Sequence, residues 1–112
     1  MNDYALFDIS GRIGKITRAG KALKVNIASN RPIKGSDGEW KDNTTWATIT
    51  VFKETADWIE KSCTPGDYVR ARGRIANGSY EKDGETRYTV DLLTDSFDRI
   101  MKAPAKTDAE EA

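Results

Sequence analysis

The run Thr45, Trp46, Ala47, Thr48, Ile49, Thr50, Val51, Phe52 constrains the fold more than any other part of this chain, because its hydrophobic period is two. Side chains two apart on a strand share a face, so Ala47, Ile49 and Val51 supply the apolar face a core needs. Trp46 and Phe52 fall on the other face, with Thr48 and Thr50, and are left toward water. Large rings on a half-polar sheet face suit flat apolar ligands, and every nucleobase offers a stacking face whatever its identity. The pattern points to a β domain that grips single-stranded nucleic acid. The competing structural reading half-buries Trp46 at a contact between subunits.

The rest of the chain reads as strands with one helix. A first strand over roughly Tyr4 to Thr17 carries Gly11 and Gly14, which mark a bulge or sharp bend, and a turn at Arg18, Ala19, Gly20 leads to a second strand, Leu23 to Ser29. Asn30 to Asn43 reads as a polar loop, with Pro32, Gly35 and the turn pair Asp37, Gly38. Lys53 to Ser62 reads as a helix, with Ala56 and Ile59 on its core side and Thr64, Pro65, Gly66 closing it. Val69, Ala71, Gly73 and Ile75 then alternate with Arg70, Arg72 and Arg74, and a long hairpin with Asp83, Gly84 at its tip returns through Arg87 to Leu93. Five strands with a helix between the third and fourth make the layout of the OB-fold, a five-stranded, partly open barrel that binds oligonucleotides or sugars.

Charge and composition narrow the chemistry. The 112 residues give one domain, 1–102, with a short acidic tail of disordered composition, 103–112. Lysines and arginines equal acids at 18 each, yet no acid falls between Asp8 and Asp37, where Arg12, Lys15, Arg18, Lys21, Lys24, Arg31 and Lys34 lie. A local basic stripe steers a polyanion even when the net charge is zero. The absence of histidine, with a single cysteine, Cys63, excludes a Ser-His-Asp triad and the usual zinc sites. The acids are scattered, so no enzyme, metal or cofactor is expected. No apolar run reaches the roughly 20 residues of a membrane span, and acids near the start argue against a signal peptide, which together predict a cytoplasmic protein. Cys63 reads as a small buried filler.

Over about residues 4–98 the chain resembles the bacterial single-stranded DNA-binding proteins. The resemblance rests on Gly11, Arg12, Ile13, Gly14; on Val25, Asn26, Ile27, Ala28, Ser29; on Thr45, Trp46 with Val51, Phe52; on Pro65, Gly66, Asp67 before Val69; and on Tyr80 with Arg87, Tyr88, Thr89, Val90. It implies an OB-fold and sequence-independent coating of single-stranded DNA in replication, recombination or repair. Trp46 and Phe52 fall at stacking positions of the family, and Tyr80 stands where relatives carry a stacking tryptophan. Trp58, on the helix, is expected to plug the barrel end. Trp40 is a candidate fourth platform without a firm family equivalent, and Lys24, Arg31, Lys34, Arg72 and Arg74 are the candidate phosphate contacts.

The departures from the family also carry expectations. A further stacking tryptophan of relatives is replaced by Arg31, Pro32, Ile33, where Arg31 can stack on a base and pair with phosphate. The last hairpin begins Ala76, Asn77, Gly78, Ser79 where relatives are often basic. Arg70, Arg72 and Arg74 share a face that in relatives joins dimers into tetramers, and like charges there repel across a symmetric interface. A homodimer through the edge at Leu6 to Ile13 is therefore expected ahead of a tetramer. The tail lacks the terminal hydrophobic tip through which relatives recruit partners. The alternatives are an OB module for protein contacts in a replication complex and a binder of single-stranded RNA.

Overall fold

The computed structural model describes residues 1–104. The expected tail, from residue 105 onward, lies outside the described residues. Five strands and one helix follow in the order β1 (Leu6–Ala19), β2 (Ala22–Lys34), β3 (Trp40–Phe52), α1 (Lys53–Ser62), β4 (Tyr68–Lys82) and β5 (Glu85–Met101). They close into a barrel ordered β1-β2-β3-β5-β4, with antiparallel neighbours except where β3 meets β5 in parallel at Thr50 and Leu93. The all-β class, the helix between the third and fourth strands and the long last hairpin are as the sequence predicts.

Two glycines shape the first strand. Leu6 to Arg12 pair with β4, whereas Arg12 to Ala19 pair with β2, and the β1–β2 register shifts between Ile13 and Lys15, so Gly14 is the bulge residue. A bulge bends its strand, which lets one strand serve two neighbours around the barrel. At Gly11 the chain passes so close to the carbonyl of Ala28 that a Cβ has no room. The core holds Ile13, Leu23, Val25, Ile27, Ile49, Val51, Ala56, Ile59, Cys63, Val69 and Ala71, all buried. The alternation of β3 therefore falls as expected, with Ile49 and Val51 inward and Trp46 and Phe52 outward.

Three expectations need correction. Asn30 to Asn43 is not a polar loop: β2 and β3 stay paired from Ala22↔Phe52 to Lys34↔Trp40, leaving only Gly35 to Glu39 as the turn. This arm extends past the barrel with both faces wet, so no hydrophobic alternation marks it, and Pro32 sits opposite Asp42 within it. The last strand likewise runs from Glu85 to Met101 rather than over Arg87 to Leu93. Trp58 does not plug the barrel. Ala56 and Ile59 fill the inner face of α1, and Trp58 lies to the side, 44% exposed, edge-on to Phe97 and 5.6 Å beneath the guanidinium of Arg99.

Candidate nucleic-acid interface

Cross-strand register assembles the face around Trp46. Directly opposed residues in an antiparallel pair share a face, and the β2–β3 register sets Ala28 opposite Trp46, Asn26 opposite Thr48, Lys24 opposite Thr50 and Ala22 opposite Phe52. On the other side of β2, Lys15 faces Asn26 and Thr17 faces Lys24. One outward face therefore carries two rings, two lysines and a row of small polar groups. Trp46 is 59% exposed and Phe52 44%, and six residues of strand place them about 20 Å apart.

Trp46 has a specific seat. A Cβ on Gly14 would stand 2.6 Å from Cζ3 of the indole and 3.1 Å from Asn26 Oδ1, so the bare backbone of the bulge is what lets the ring lie there. The glycine thus bends β1 and leaves the space that the rim of the indole occupies, while the ring stays 59% exposed. Beside it, Lys15, Thr17, Lys24, Asn26 and Thr48 line a shallow cleft of about 350 Å³. The Lys24 ammonium donates to the Thr50 hydroxyl at 2.6 Å, and the Asn26 amide donates to the Thr48 hydroxyl at 3.2 Å. Lys15, Asn26 and Thr48 are absent from the contacts expected from sequence. The signal for Lys15 and Asn26 is the register itself, whereas Thr48 already shares the face of Trp46 by the alternation of β3.

The remaining candidates divide by position. Lys34 faces Trp40, 67% exposed, at the far end of the β2–β3 arm, and Trp40 falls on the same pleat face of β3 as Trp46 and Phe52. Arg31 opposes Asn43 on the reverse face of that arm, so the register does not bring it beside Trp46. Tyr80, 53% exposed, faces Arg87 near the tip of the β4–β5 hairpin. Arg72 and Arg74 stand on β4, which β5 separates from β3 and β1 separates from β2.

The arginine face of β4 is less charged than the sequence suggests. Arg70 forks onto Asp8 with contacts of 2.9 and 2.6 Å, and Arg74 lies 3.4 Å from Asp95. The hydrogen-bonded Arg70 guanidinium holds Asp8 below the ordinary carboxylate range. These acids compensate within one chain the repulsion expected between like faces, and Arg72 alone of the three has no carboxylate partner among the described residues.

A buried carboxylate ties the loop between α1 and β4 to the chain just after β5. Burial opposes the charge on Asp67, but the amides of Ala103 at 2.6 Å and Thr64 at 3.0 Å, with Arg99 and the Thr64 hydroxyl, outweigh it and lower its pKa. Arg99 also donates to the Ser62 carbonyl at the helix end. Cys63 packs beside this network, where burial raises its thiol pKa, as expected of a structural filler.

The model of the single-strand binding protein family matches residues 9–100. The chain belongs to that family. It is 33% identical over 99 residues to a single-stranded DNA-binding protein of Clostridium perfringens, covering 79% of this chain and 62% of the relative. Single-stranded DNA-binding protein 2 of Streptococcus agalactiae is 30% identical over 94 residues, which cover 76% of this chain and 70% of that protein. Among solved structures, the mitochondrial single-stranded DNA binding protein of S. cerevisiae superposes with a TM-score of 0.67 at 28% identity, over 91% of this chain and all of that one. The matched span of this family member includes Gly14, Trp46, Phe52 and Tyr80. No helix among its described residues is long and apolar enough to cross a membrane.

Proposed function

We propose that this family member coats single-stranded DNA without choosing its sequence and performs no reaction on it. The observation that carries this reading is the outward face of β2 and β3, where Trp46 and Phe52 stand exposed beside Lys15 and Lys24. Bases stack on the two rings at about 1 to 3 kcal/mol each, and the lysines exchange condensed counterions for phosphate contacts. A duplex buries the faces of its bases and leaves the rings unused. Trp40 with Lys34 extends the same track along the arm, and Tyr80 with Arg87 offers a further stacking position. The names of the relatives, single-stranded DNA-binding proteins, support the same reading, and a cytoplasmic location is part of the proposal.

The same reading includes a homodimer. The side of Leu6 to Ile9 turned away from β4 has no strand partner among the described residues, and a second copy can pair there. The internal pairing of Arg70 and Arg74 removes much of the charge barrier to joining dimers, and light scattering reads either assembly directly.

Fluorescence anisotropy of a labelled dT oligomer tests the reading. Expected are tight binding, comparable affinity for mixed-sequence strands, weak binding of a duplex of equal length, and a log–log salt slope of about −0.7 per phosphate contacted. Equal affinity for duplex and single strand overturns it.

A further inference from the structure

The strand that carries the platforms ends in a backbone conformation that lysine rarely adopts. Lys53, the residue after Phe52, has φ +57°, in the left-handed region where a Cβ crowds the adjacent carbonyl. Glycine fills such positions without this cost. Lys53 borders a cleft of about 380 Å³ together with Phe52, Lys21, Arg18 and Asp57. Arg18 is already committed, donating at 3.0 Å to both Asp57 and Glu60. Lys21 and Lys53 are in no ion pair among the described residues. On the other side of Phe52, Lys53 also borders a second cleft, but there it is accompanied by Glu54 and Asp95, which repel a phosphate. A base on Phe52 therefore meets Lys21 and Lys53 on one flank, where Asp57 is neutralised by Arg18, and on the other flank Lys53 against Glu54 and Asp95.

From this arrangement we propose that Lys53 and Lys21 form a phosphate subsite that holds the backbone of the nucleotide stacked on Phe52 and fixes the side by which the strand leaves the barrel. The inference rests on the single-stranded DNA reading above and adds to it a residue that strains the fold to serve the ligand. Strain of this kind is retained where a ligand clamp needs the side chain. Lys53 thus trades stability for binding, and a substitution that improves one worsens the other.

The test is Lys53→Gly in the full chain, read by thermal unfolding and by dT binding across a salt series. The variant is expected to melt about 2 to 5 °C higher, as relief of left-handed strain less the entropy cost of the new glycine implies in a domain of this size. Its salt slope is expected to shrink by about 0.7, a loss near fivefold in affinity at about 0.1 M salt relative to 1 M. Lys53→Asn, which tolerates the left-handed backbone, loses the same affinity, whereas Lys53→Arg keeps it. Unchanged affinity and slope in Lys53→Gly, with Trp46→Ala still weakening binding, overturns the subsite and leaves the DNA reading standing. Failure of the unaltered protein to bind dT overturns both.

Discussion

Adding one methyl group at Gly14 should impair binding while sparing the fold. In Gly14→Ala the new Cβ meets Cζ3 of Trp46 at 2.6 Å and Cη2 at 3.1 Å, so the ring must withdraw by about 1 Å to regain ordinary van der Waals contact. The obstructing atoms belong to side chains with one face in solvent, so the ring yields before the backbone does, at a stability cost of about 1 kcal/mol or less. Stacking is sensitive to the tilt and height of its platform, and the platform as a whole carries about 1 to 3 kcal/mol. A loss of roughly half, about 1 kcal/mol, weakens the dissociation constant about fivefold. The assay is a double-mutant cycle with Trp46→Ala, reading dT binding and thermal unfolding for all four proteins. Gly14→Ala should have little effect once the indole is gone. Equal weakening by Gly14→Ala with the indole present and with it removed would falsify the assignment of Gly14 as the residue that makes room for the indole. Gly11→Ala supplies the contrast, because its Cβ collides with the backbone carbonyl of Ala28 and nothing there can rotate away. That variant should lose several degrees of melting temperature, and unchanged stability would contradict the close approach of β1 and β2.

Other expectations follow from single residues. Phe52→Ala should cost about 1 to 3 kcal/mol of dT affinity at fixed salt, measured by anisotropy, with the salt slope unchanged because no charge is removed. Trp40→Ala should weaken strands long enough to reach the end of the arm and leave short oligomers unaffected, since about 40 Å of strand separates it from Phe52; equal loss at all lengths contradicts its place on the track. The folded pKa of Asp67 lies below its unfolded value of about 3.9, so its ionised form contributes stability above that pH and loses it as pH falls toward the folded value. Asp67→Asn should lower stability at neutral pH by about 1 to 3 kcal/mol and flatten the acid limb below about pH 4 in denaturant titrations.

How much of this was legible in the sequence depended on whether a residue's environment is decided locally. The alternation from Thr45 to Phe52 declares which side of β3 faces the core, because Ile49 and Val51 pack inward while Trp46, Thr48 and Phe52 stay exposed, and Thr50, though buried, lies on the outward side, where it accepts from Lys24. Gly11 and Gly14 likewise mark the bend: at Gly11 a Cβ is refused by the carbonyl of Ala28, and at Gly14 it would meet the indole of Trp46. The arm from Asn30 to Asn43 was illegible as strand because it rises beyond the core: neither face is buried, so the period-two signal has nothing to act on. Trp58 misled for another reason. The resemblance implied a plug for the barrel end, but Ala56 and Ile59 already occupy the inner side of α1, and the indole finds Arg99 and Phe97 at the surface. The arginines of β4 read as a free cluster because their acids are distant in sequence, with 62 residues separating Arg70 from Asp8. Only the β1–β4 pairing brings them together. Lys15 and Asn26 came onto the face of Trp46 and Thr48 through cross-strand register, which a single strand's pattern does not encode.

The central claim, that bases stack on the β2–β3 face at Trp46, is tested most directly by tryptophan fluorescence during titration with a dT oligomer. Trp58 sits off this face against Phe97 and Arg99 and supplies an internal emission that binding should leave in place. The account predicts partial quenching by the single strand, a large part of it lost in Trp46→Phe, and little change with a duplex of equal length. Full quenching retained in Trp46→Phe, or the same quenching by duplex, contradicts it.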